Sequence, residues 1–328
     1  MGLLRRLVGR RARRRREAEL ARLNLKFFGY EMARRLAATL PARLDIPAQT
    51  VLLESKAATQ NDIESDWLAH WASEMKVPII YHRKLWELAF VLQVLHQHDL
   101  LRDGTRGLGF GCGAEPIASY LASRGVTVTA SDLSPTERKT LRWQDSEQHA
   151  SLAEQYHHAH LIDRATFDAR VEVRVVDMTA IPAILRDYDF NWSVCALEHL
   201  GSIGQGLDFL ERCLATLRPG GLAVHTTEFN FLDDHETIDN WHTVLFQKRH
   251  FEALKARLEA HGHVVAPLNF DVGDKPMDRF IDLPPYVHQW PKSIQSLWGG
   301  DPNHIKMAFD GFACTSFGLV IRKAASRA

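Results

Sequence analysis

Acidic side chains and a histidine stand at the predicted ends of four strands, and these residues are the best placed in the sequence for chemistry. Asp132 ends the run VTVTASD, and Asp177 ends VEVRVVD. His199 follows the buried-looking run NWSVCALE, and Glu228 ends LAVHTTE. Because open α/β sheets bind ligands at the carboxyl ends of their strands, these side chains are expected to meet at one site. A histidine or carboxylate there can take a proton from a reacting hydroxyl group.

A glycine-rich turn precedes these positions, in the stretch GLGFGCGAE over 107–115. Gly109, Gly111 and Gly113 lie between a short predicted strand and a predicted helix, an arrangement in which backbone N–H groups face a bound anion. Glycine also accepts positive φ and lets a ligand approach the main chain. With Ala114 in the last position, the turn fits the G-x-G-x-x-G/A pattern of NAD-binding units. The turn alone therefore leaves three interpretations open: NAD, S-adenosylmethionine, or no ligand.

The elements that must position these residues alternate between strand and helix patterns from about residue 105. Serial βα units predict a parallel sheet with helices on both faces and right-handed crossovers. The last strand is expected to be antiparallel, because 271–312 contains no clear crossover helix. The predicted strands are 106–110, 126–132, 171–177, 188–197, 222–229, 264–270 and 315–324, and the predicted helices are 17–43, 83–100, 115–124, 207–217 and 248–261.

Composition divides the chain into three segments. Residues 1–16 hold eight arginines and no acidic residue, and they are expected to form a disordered basic tail. Residues 17–80 are expected to form a helical extension, and 81–328 the α/β domain, in which 229–312 would be the variable region that sets substrate specificity. Beyond residue 16 the chain has 32 basic and 40 acidic residues, so the body is mildly acidic and gives no strong signal for nucleic-acid binding.

The cysteines, the apolar runs and the tail indicate where the protein acts. Four widely spaced cysteines without a C-x-x-C pair predict reduced, buried thiols. No apolar run approaches the roughly 18 residues of a membrane span, so a cytoplasmic location is predicted. The arginines and interspersed leucines of 1–16 predict attachment to an anionic membrane surface. A basic tail with no fixed partner is the alternative.

Five features in this order resemble the class I S-adenosylmethionine-dependent methyltransferases. They are the glycine turn, Asp132, Asp177, the LEHL of 197–200 and the LRPGG of 217–221. The resemblance covers about 105–230, and the later helix and strands extend it towards the C-terminus. It implies a Rossmann-like, doubly wound sheet of seven mostly parallel strands with an antiparallel last strand. It also implies in-line methyl transfer, for which the enzyme supplies alignment and a dry pocket.

The resemblance also implies roles for individual residues. Gly109, Gly111 and Gly113 would lie against the methionine part of the cofactor, and Asp132 would hold the ribose hydroxyls. Asp177 and the backbone of Met178 would recognise adenine, and the chain from Cys195 to Leu197 would border the cofactor. Glu198 and His199 would face the substrate at the mouth of the site.

One position departs from the family pattern. The family commonly carries an acidic residue two places before the first glycine, and this chain has Gly107 there. That carboxylate usually orients the amino end of the cofactor. Glu115 is the nearest candidate to replace it, although a glutamate at a helix start is commonly a residue that the helix dipole favours.

The function expected from the sequence is methyl transfer from S-adenosylmethionine to a small-molecule or glycan-type acceptor, more readily at oxygen than at carbon or nitrogen. His199, His225 and Glu228 are the candidate bases, of which His199 and Glu228 are preferred. A capping role for His199 and a structural role for His225 are the alternatives. No metal site is predicted, because the acidic run Asp233–Glu236 reads as a solvated loop. An NAD-dependent oxidoreductase and a catalytically inactive scaffold remain as alternative functions.

Overall fold

The computed structural model describes residues 2–41, 46–133, 153–286, 289–290, 295 and 303–325, with side chains from residue 11 onward. The helices are α1 (Gly2–Thr39), α2 (Gln60–Ile63), α3 (Asp66–Glu74), α4 (Arg83–Gln97), α5 (Ile117–Ser123), α6 (Ala153–Tyr156), α7 (Arg164–Arg170), α8 (Ile203–Arg212), α9 (Lys248–Ala260) and α10 (Pro276–Arg279). The strands are β1 (Ser55–Ala57), β2 (Arg106–Gly109), β3 (Thr127–Asp132), β4 (Val171–Val175), β5 (Tyr188–Val194), β6 (Leu217–Asn230), β7 (Val264–Val265), β8 (Leu268–Asn269), β9 (Ile281–Asp282), β10 (Lys306–Phe309) and β11 (Phe312–Arg322).

The described strands form one sheet in which β4, β3, β2, β5, β6, β11, β1 and β8 follow one another. The first five run parallel, whereas β11 is antiparallel to β6 and also pairs with β7. The doubly wound, mostly parallel sheet with an antiparallel last strand is therefore confirmed. Three short strands outside the predicted ones (β1, β9 and β10), together with the division of one predicted strand into β7 and β8, enlarge the predicted sheet of seven.

The order of the strands reverses between β2 and β5, which are neighbours in the sheet although β3 and β4 lie between them in the chain. Loops leave in opposite directions at such a reversal and open a crevice at the carboxyl ends of the strands. The glycine turn leaves β2 at this edge, and the segment Cys195–His199 leaves β5 there. The ligand crevice is consequently expected beside these two strand ends.

Apolar layers cover both faces of the sheet. On one face α1, α3, α4 and α5 pack through residues that include Trp86, Phe90 and Trp192. On the other face a cluster of stacked phenylalanines includes Phe251 and Phe317, whose ring centroids lie 4.6 Å apart. Because β5 is buried along its whole length, it is the centre of the core.

Helix α1 extends through the arginine-rich segment, where the sequence predicts a disordered tail. Arginine has good helix propensity. Ion pairs one turn apart also join Arg13 to Glu17 at 2.6 Å and Arg15 to Glu19 at 3.3 Å. Such pairs favour the helical conformation by a few tenths of a kcal/mol each. No helix in the described ranges combines the length and the apolar composition of a transmembrane span.

Other elements also differ from their predicted bounds, such as β6, which begins at Leu217 rather than at 222. Two of the differences have a clear local cause. Helix α8 begins at Ile203, because the Ser202 hydroxyl caps it by accepting a hydrogen bond from the Gln205 N–H at 3.1 Å. The predicted strand at 264–270 is split into β7 and β8 around Pro267, which has no N–H to donate to a neighbouring strand.

Candidate active site

The glycine turn and Asp132 lie together at the carboxyl edge of the sheet. Gly111 and Gly113 have φ values of +58° and +54°, which favour glycine. A Cβ atom on Gly111 would stand 2.7 Å from the Cβ of Ala196, so the turn also needs glycine for its close approach to the end of β5. The Gly113 N–H donates to Asp132 Oδ2 at 3.1 Å. The carboxylate of β3 therefore lies directly beside the turn.

Asp177 and Met178 follow β4 on the same edge. Asp177 Oδ1 accepts hydrogen bonds from the N–H and the hydroxyl of Thr179, both at 2.7 Å, and the residue is exposed. Met178 is buried, and its sulfur lies 3.5 Å from the position that a Cβ atom on Gly111 would occupy. Both residues are thus at the strand end where the resemblance places the adenine contacts, and their roles remain predictions.

Cys195 is the point at which the chain turns away from β5. Its φ is +47°, which is uncommon for a residue with a Cβ atom. Its N–H donates to the Thr226 carbonyl at 3.0 Å, and its sulfur lies 3.6 Å from Arg83 Nη1. Backbone strain held in place by the neighbouring strand is common at functional sites. The predicted cofactor-bordering residue therefore also touches a charged side chain from α4.

A buried charge cluster lies at this edge, formed by Arg83, Lys84 and Glu87 of α4 together with Glu198 and Glu228. Arg83 Nη1 contacts Glu228 Oε1 at 2.6 Å and Glu87 Oε1 at 2.9 Å, and Lys84 Nζ contacts Glu87 Oε2 at 2.9 Å. The pKa of Lys84 is raised: burial opposes the charged form, but the neighbouring anionic groups outweigh it. Buried charges are stable only when they are paired in this manner.

Two carboxyl groups of the charge cluster, those of Glu198 and Glu228, have raised pKa values. Glu198 is fully buried, and burial raises its pKa to about 7. Its Oε2 accepts from the Thr227 hydroxyl at 3.1 Å, whereas Oε1 has no hydrogen-bond partner among the described residues. Burial also raises the pKa of Glu228, although Arg83 opposes that shift. A carboxyl group that titrates near neutral pH in a closed site is a candidate for acid–base work.

His199 lies beside Glu198, and its hydrogen bonds define its tautomer. Its Nδ1 is 3.0 Å from the His242 carbonyl, which can only accept, so Nδ1 carries the proton and Nε2 keeps a lone pair. Burial lowers the pKa of His199 to about 4, which leaves the ring neutral at pH 7. Nε2 lies 3.9 Å from Glu198 Oε1.

His225 has the structural role that the sequence suggests as an alternative. It is fully buried inside β6, between the Ser193 hydroxyl at 2.8 Å from Nδ1 and the Cys213 sulfur at 3.5 Å from Nε2. Burial lowers its pKa to about 3, so it stays neutral. All four cysteines are free and buried, as expected.

The aromatic rings of β5 explain why position 107 holds glycine and not the acidic residue that is common in the family. A Cβ atom on Gly107 would stand 2.5 Å from the Phe190 ring, and one on Gly109 would stand 2.5 Å from the Trp192 ring. The indole of Trp192 donates to Glu115 Oε1 at 3.0 Å. Burial raises the pKa of Glu115 to about 8, with further contributions from Glu87 and Asp132. Glu115 therefore brings a carboxyl group to the turn, where neither Gly107 nor Gly109 has room for a side chain.

We expect Gly107→Asp to destabilise the protein by about 3 kcal/mol or more, because it forces a side chain into the Phe190 ring and buries an unpaired carboxylate. Urea unfolding followed by circular dichroism measures this change. Gly204→Ala is the matched control, since a Cβ atom there meets only the Ser202 hydroxyl at 3.8 Å. A Gly107→Asp variant as stable as the control would contradict the steric explanation.

Sequence reasoning missed the contribution of α4. It predicted the helix at 83–100 but assigned no part in the site to Arg83, Lys84 and Glu87. One signal was present: Glu87 interrupts the apolar run LWELAF, and a charge in the buried stripe of a helix usually has a specific partner. Its partners, Arg83 and Ser316, lie on α4 and β11.

One group of potential metal ligands occurs within the described ranges, namely Cys195, Glu198 and Glu228, whose ligand atoms lie within 4.8 Å of one another. Arg83 already contacts both Glu228 and the Cys195 sulfur and supplies positive charge to this group. The Asp233 carboxylate instead accepts from the N–H groups of His235 and Glu236, at 2.7 and 2.9 Å, and so organises its own loop.

Comparison with known proteins gives one family match and several distant structural likenesses. Residues 81–267, more than half of the chain, match the methyltransferase domain family. No curated protein matches the chain significantly in sequence.

The solved structures that resemble the chain share little sequence with it. A putative sarcosine dimethylglycine methyltransferase from Galdieria sulphuraria is 15% identical, with 79% of this chain and 99% of that chain covered and a TM-score of 0.46. The [4+2]-cyclase SpnF is 16% identical, with 84% and 100% covered and a TM-score of 0.46. Phosphoethanolamine N-methyltransferase 2 of Haemonchus contortus is 16% identical, with 71% and 52% covered and a TM-score of 0.40. Likenesses at this level say nothing about the acceptor of this chain.

Proposed function

This chain belongs to the class I S-adenosylmethionine-dependent methyltransferase family, and we propose that it methylates an oxygen atom of a small-molecule or glycan-type acceptor. Its cofactor is S-adenosylmethionine, which sets aside the interpretation of the glycine turn as an NAD site. The observation that carries the choice of oxygen is the pair formed by Glu198 and His199. A hydroxyl acceptor must lose a proton as it is methylated, and these two groups can receive it.

The charges of the site fit a cofactor with net positive charge. Bound S-adenosylmethionine supplies a methyl group that its sulfonium has already activated for transfer. Arg83 and Lys84 are the cations of the charge cluster, whereas Glu87, Glu198 and Glu228 are its carboxylates, with Asp132 and Glu115 at the neighbouring turn. We assign the main chain of Gly111 and Gly113 and the carboxylates of Asp132 and Glu115 to cofactor binding.

Glu198 is the better matched base of the pair. A base works best when its pKa lies near the pH at which the enzyme operates, and the pKa of about 7 for Glu198 meets that condition. Its Oε1 has no hydrogen-bond partner among the described residues, whereas Oε2 accepts from Thr227, so we assign Oε1 to the proton of the acceptor hydroxyl. The Nε2 lone pair of His199, 3.9 Å away, lies within reach of the same proton.

Arg83 gives Glu228 a different role from the one that its position in the sequence suggests. The contact of 2.6 Å with Arg83 Nη1 stabilises the ionised form of Glu228 and occupies Oε1. We therefore assign Glu228 to fixing Arg83 at the wall of the site, with His199 and Glu198 as the groups that handle the proton. Glu198 and Glu228 are buried, and this exclusion of water strengthens the electrostatic interactions that they make.

The test of this proposal is the identity of the methylated product. Purified protein is incubated with methyl-labelled S-adenosylmethionine and a fractionated cell extract, and the labelled product is characterised by mass spectrometry and nuclear magnetic resonance. We expect the label in a methoxy group of a small molecule or glycan. A product labelled at nitrogen or carbon would contradict the assignment of oxygen. Cofactor binding without any labelled product would favour the inactive scaffold.

A further inference from the structure

The first half of helix α1 projects from the body of the protein. Between Arg11 and Leu25 every side chain except Leu23 is exposed, over about 20 Å of helix. The helix is anchored only further along, where the Tyr30 hydroxyl donates to Asp282 Oδ2 at 2.8 Å and Lys26 pairs with the same carboxylate. A helix held at one end by buried contacts presents its other end to a partner.

The projecting part of α1 is strongly cationic. Between residues 11 and 25 it carries six arginines against Glu17 and Glu19. Those two glutamates pair with Arg13 and Arg15, both pairs being exposed. The other arginines have no ion pair within the part of the chain that the structure describes; they are Arg11, Arg14, Arg16 and Arg22. The segment therefore offers uncompensated positive charge to an anionic surface.

Large apolar side chains are also exposed on α1 and in the loop after β6. Five side chains make up this exposed apolar group, namely Leu20, Leu25, Phe27 and Phe28 on α1 and Leu232 in the loop after β6, which are 60, 43, 43, 67 and 67% exposed. These five are half of the ten large apolar side chains that are exposed in the described residues. Such a concentration marks an interaction surface rather than the scattered apolar exposure normal for a protein.

A cleft lies between α1 and the loop after β6. It has a volume of about 600 Å³, and both Leu25 and Leu232 line it. Asn230, at the end of β6, also lines this cleft and is two residues beyond Glu228 of the charge cluster. Leu25 on α1 and Leu232 beyond β6 thus line the same cleft. We call the exposed arginines of α1 together with these exposed apolar side chains the α1 surface.

We propose that this surface docks onto an anionic phospholipid membrane. The arginines adsorb to the charged headgroups, and the leucines and phenylalanines enter the interface between headgroups and acyl chains. Nucleic acid is the less suitable partner, because the rest of the protein has more acidic than basic residues and would repel phosphates beyond the helix. The inference concerns location on a surface and does not depend on the identity of the methyl acceptor.

The arginine contribution is tested with the full chain in vesicle sedimentation. Vesicles of phosphatidylcholine alone are compared with vesicles that also contain phosphatidylglycerol. We expect binding to the anionic vesicles only, weakened by salt. Each arginine near an anionic surface contributes roughly fivefold, so Arg14→Gln with Arg16→Gln should weaken binding by roughly 25-fold. The matched control removes the same charge elsewhere, with Arg102→Gln and Arg186→Gln on the exposed body, and should bind like the unaltered protein.

The apolar contribution is tested with Leu25→Asn, Phe28→Asn and Leu232→Asn together. Because these side chains are exposed, the fold should be retained, which circular dichroism verifies. This variant should still adsorb at low salt but lose the binding that persists at high salt. Equal binding by the Arg14/Arg16 variant and its control would overturn the proposal. So would failure of the unaltered protein to bind anionic vesicles, or arginine-dependent binding to an RNA hairpin without binding to vesicles.

Discussion

Glu198→Gln is expected to lower kcat by roughly 10²- to 10⁴-fold, the range for loss of a positioned general base. Glutamine has nearly the same size and keeps an oxygen to accept from Thr227, but it cannot take a proton. Affinity for S-adenosylhomocysteine should remain almost unchanged, because the substitution removes an interaction made with the acceptor. Single-turnover kinetics with the identified acceptor, together with calorimetric titration of S-adenosylhomocysteine, measure the two effects separately.

The pH dependence of kcat is a second test of Glu198 as the base. The base must be ionised, and the pKa of Glu198 is about 7, so kcat should rise with pH through that value and level off above it. Glu198→Gln should remove this step, and His199→Gln should lower kcat while the step remains. Glu252→Gln on the exposed face of α9 is the control and should change neither quantity. A Glu198→Gln enzyme with normal kcat would assign the proton to another group.

Glu115→Gln is expected to weaken binding of S-adenosylhomocysteine by roughly 10- to 100-fold, which corresponds to about 1.4–2.7 kcal/mol for a charge-assisted contact with the ammonium group of the cofactor. The same variant should be more stable than the unaltered protein at pH 9 in the absence of ligand. Because the folded-state pKa of Glu115 is raised to about 8 from its usual value of 4.5, ionising this carboxyl group opposes folding. Protonated Glu115 therefore contributes stability to the unaltered protein. This contribution is fully present below about pH 4.5 and is lost as the pH rises to about 8.

The stability gain of Glu115→Gln is expected to be on the order of 1–2 kcal/mol at pH 9, since the residue is only half-buried and water screens part of the effect. Thermal unfolding at pH 5 and pH 9 measures it, and the gain should be absent at pH 5. Titration with 5′-methylthioadenosine, which lacks the amino-acid part, provides the matched ligand: its affinity should not respond to Glu115→Gln. Asp132→Ala should instead weaken both ligands. Equal losses for both ligands in Glu115→Gln would refute an ammonium contact.

Glu115 and Glu198 are both recognisable in the sequence, but the residues that set their properties lie far from them in the chain. Glu115 stands out because it follows the glycine turn, but its partner Trp192 is 77 residues further along the chain. Glu198 stands out within LEHL, but its burial and its pKa depend on packing against α4, which precedes it by about a hundred residues. Such contacts are a product of the folded sheet and helices.

The sequence by itself determined the features that depend on neighbouring residues. Strand periodicity, glycines in a tight turn and acidic residues at strand ends are local requirements of a βα unit, and they sufficed to predict the sheet and the edge that holds Asp132 and Asp177. The family was predicted from its resemblance in five motifs, which include LEHL and LRPGG. Helix caps were less visible, and so α8 begins earlier than predicted.

Only the tertiary structure decided which charges share the site and why Gly107 carries none. Arg83 and Lys84 reach the charge cluster because α4 packs across β6 and β11, an arrangement that needs Gly318, where a Cβ atom would stand 2.3 Å from the Phe90 ring. Phe190 occupies the space of a side chain at Gly107 because β2 and β5 are adjacent in the sheet. Burial and proximity between distant segments set these properties, and neither is encoded in any one stretch of residues.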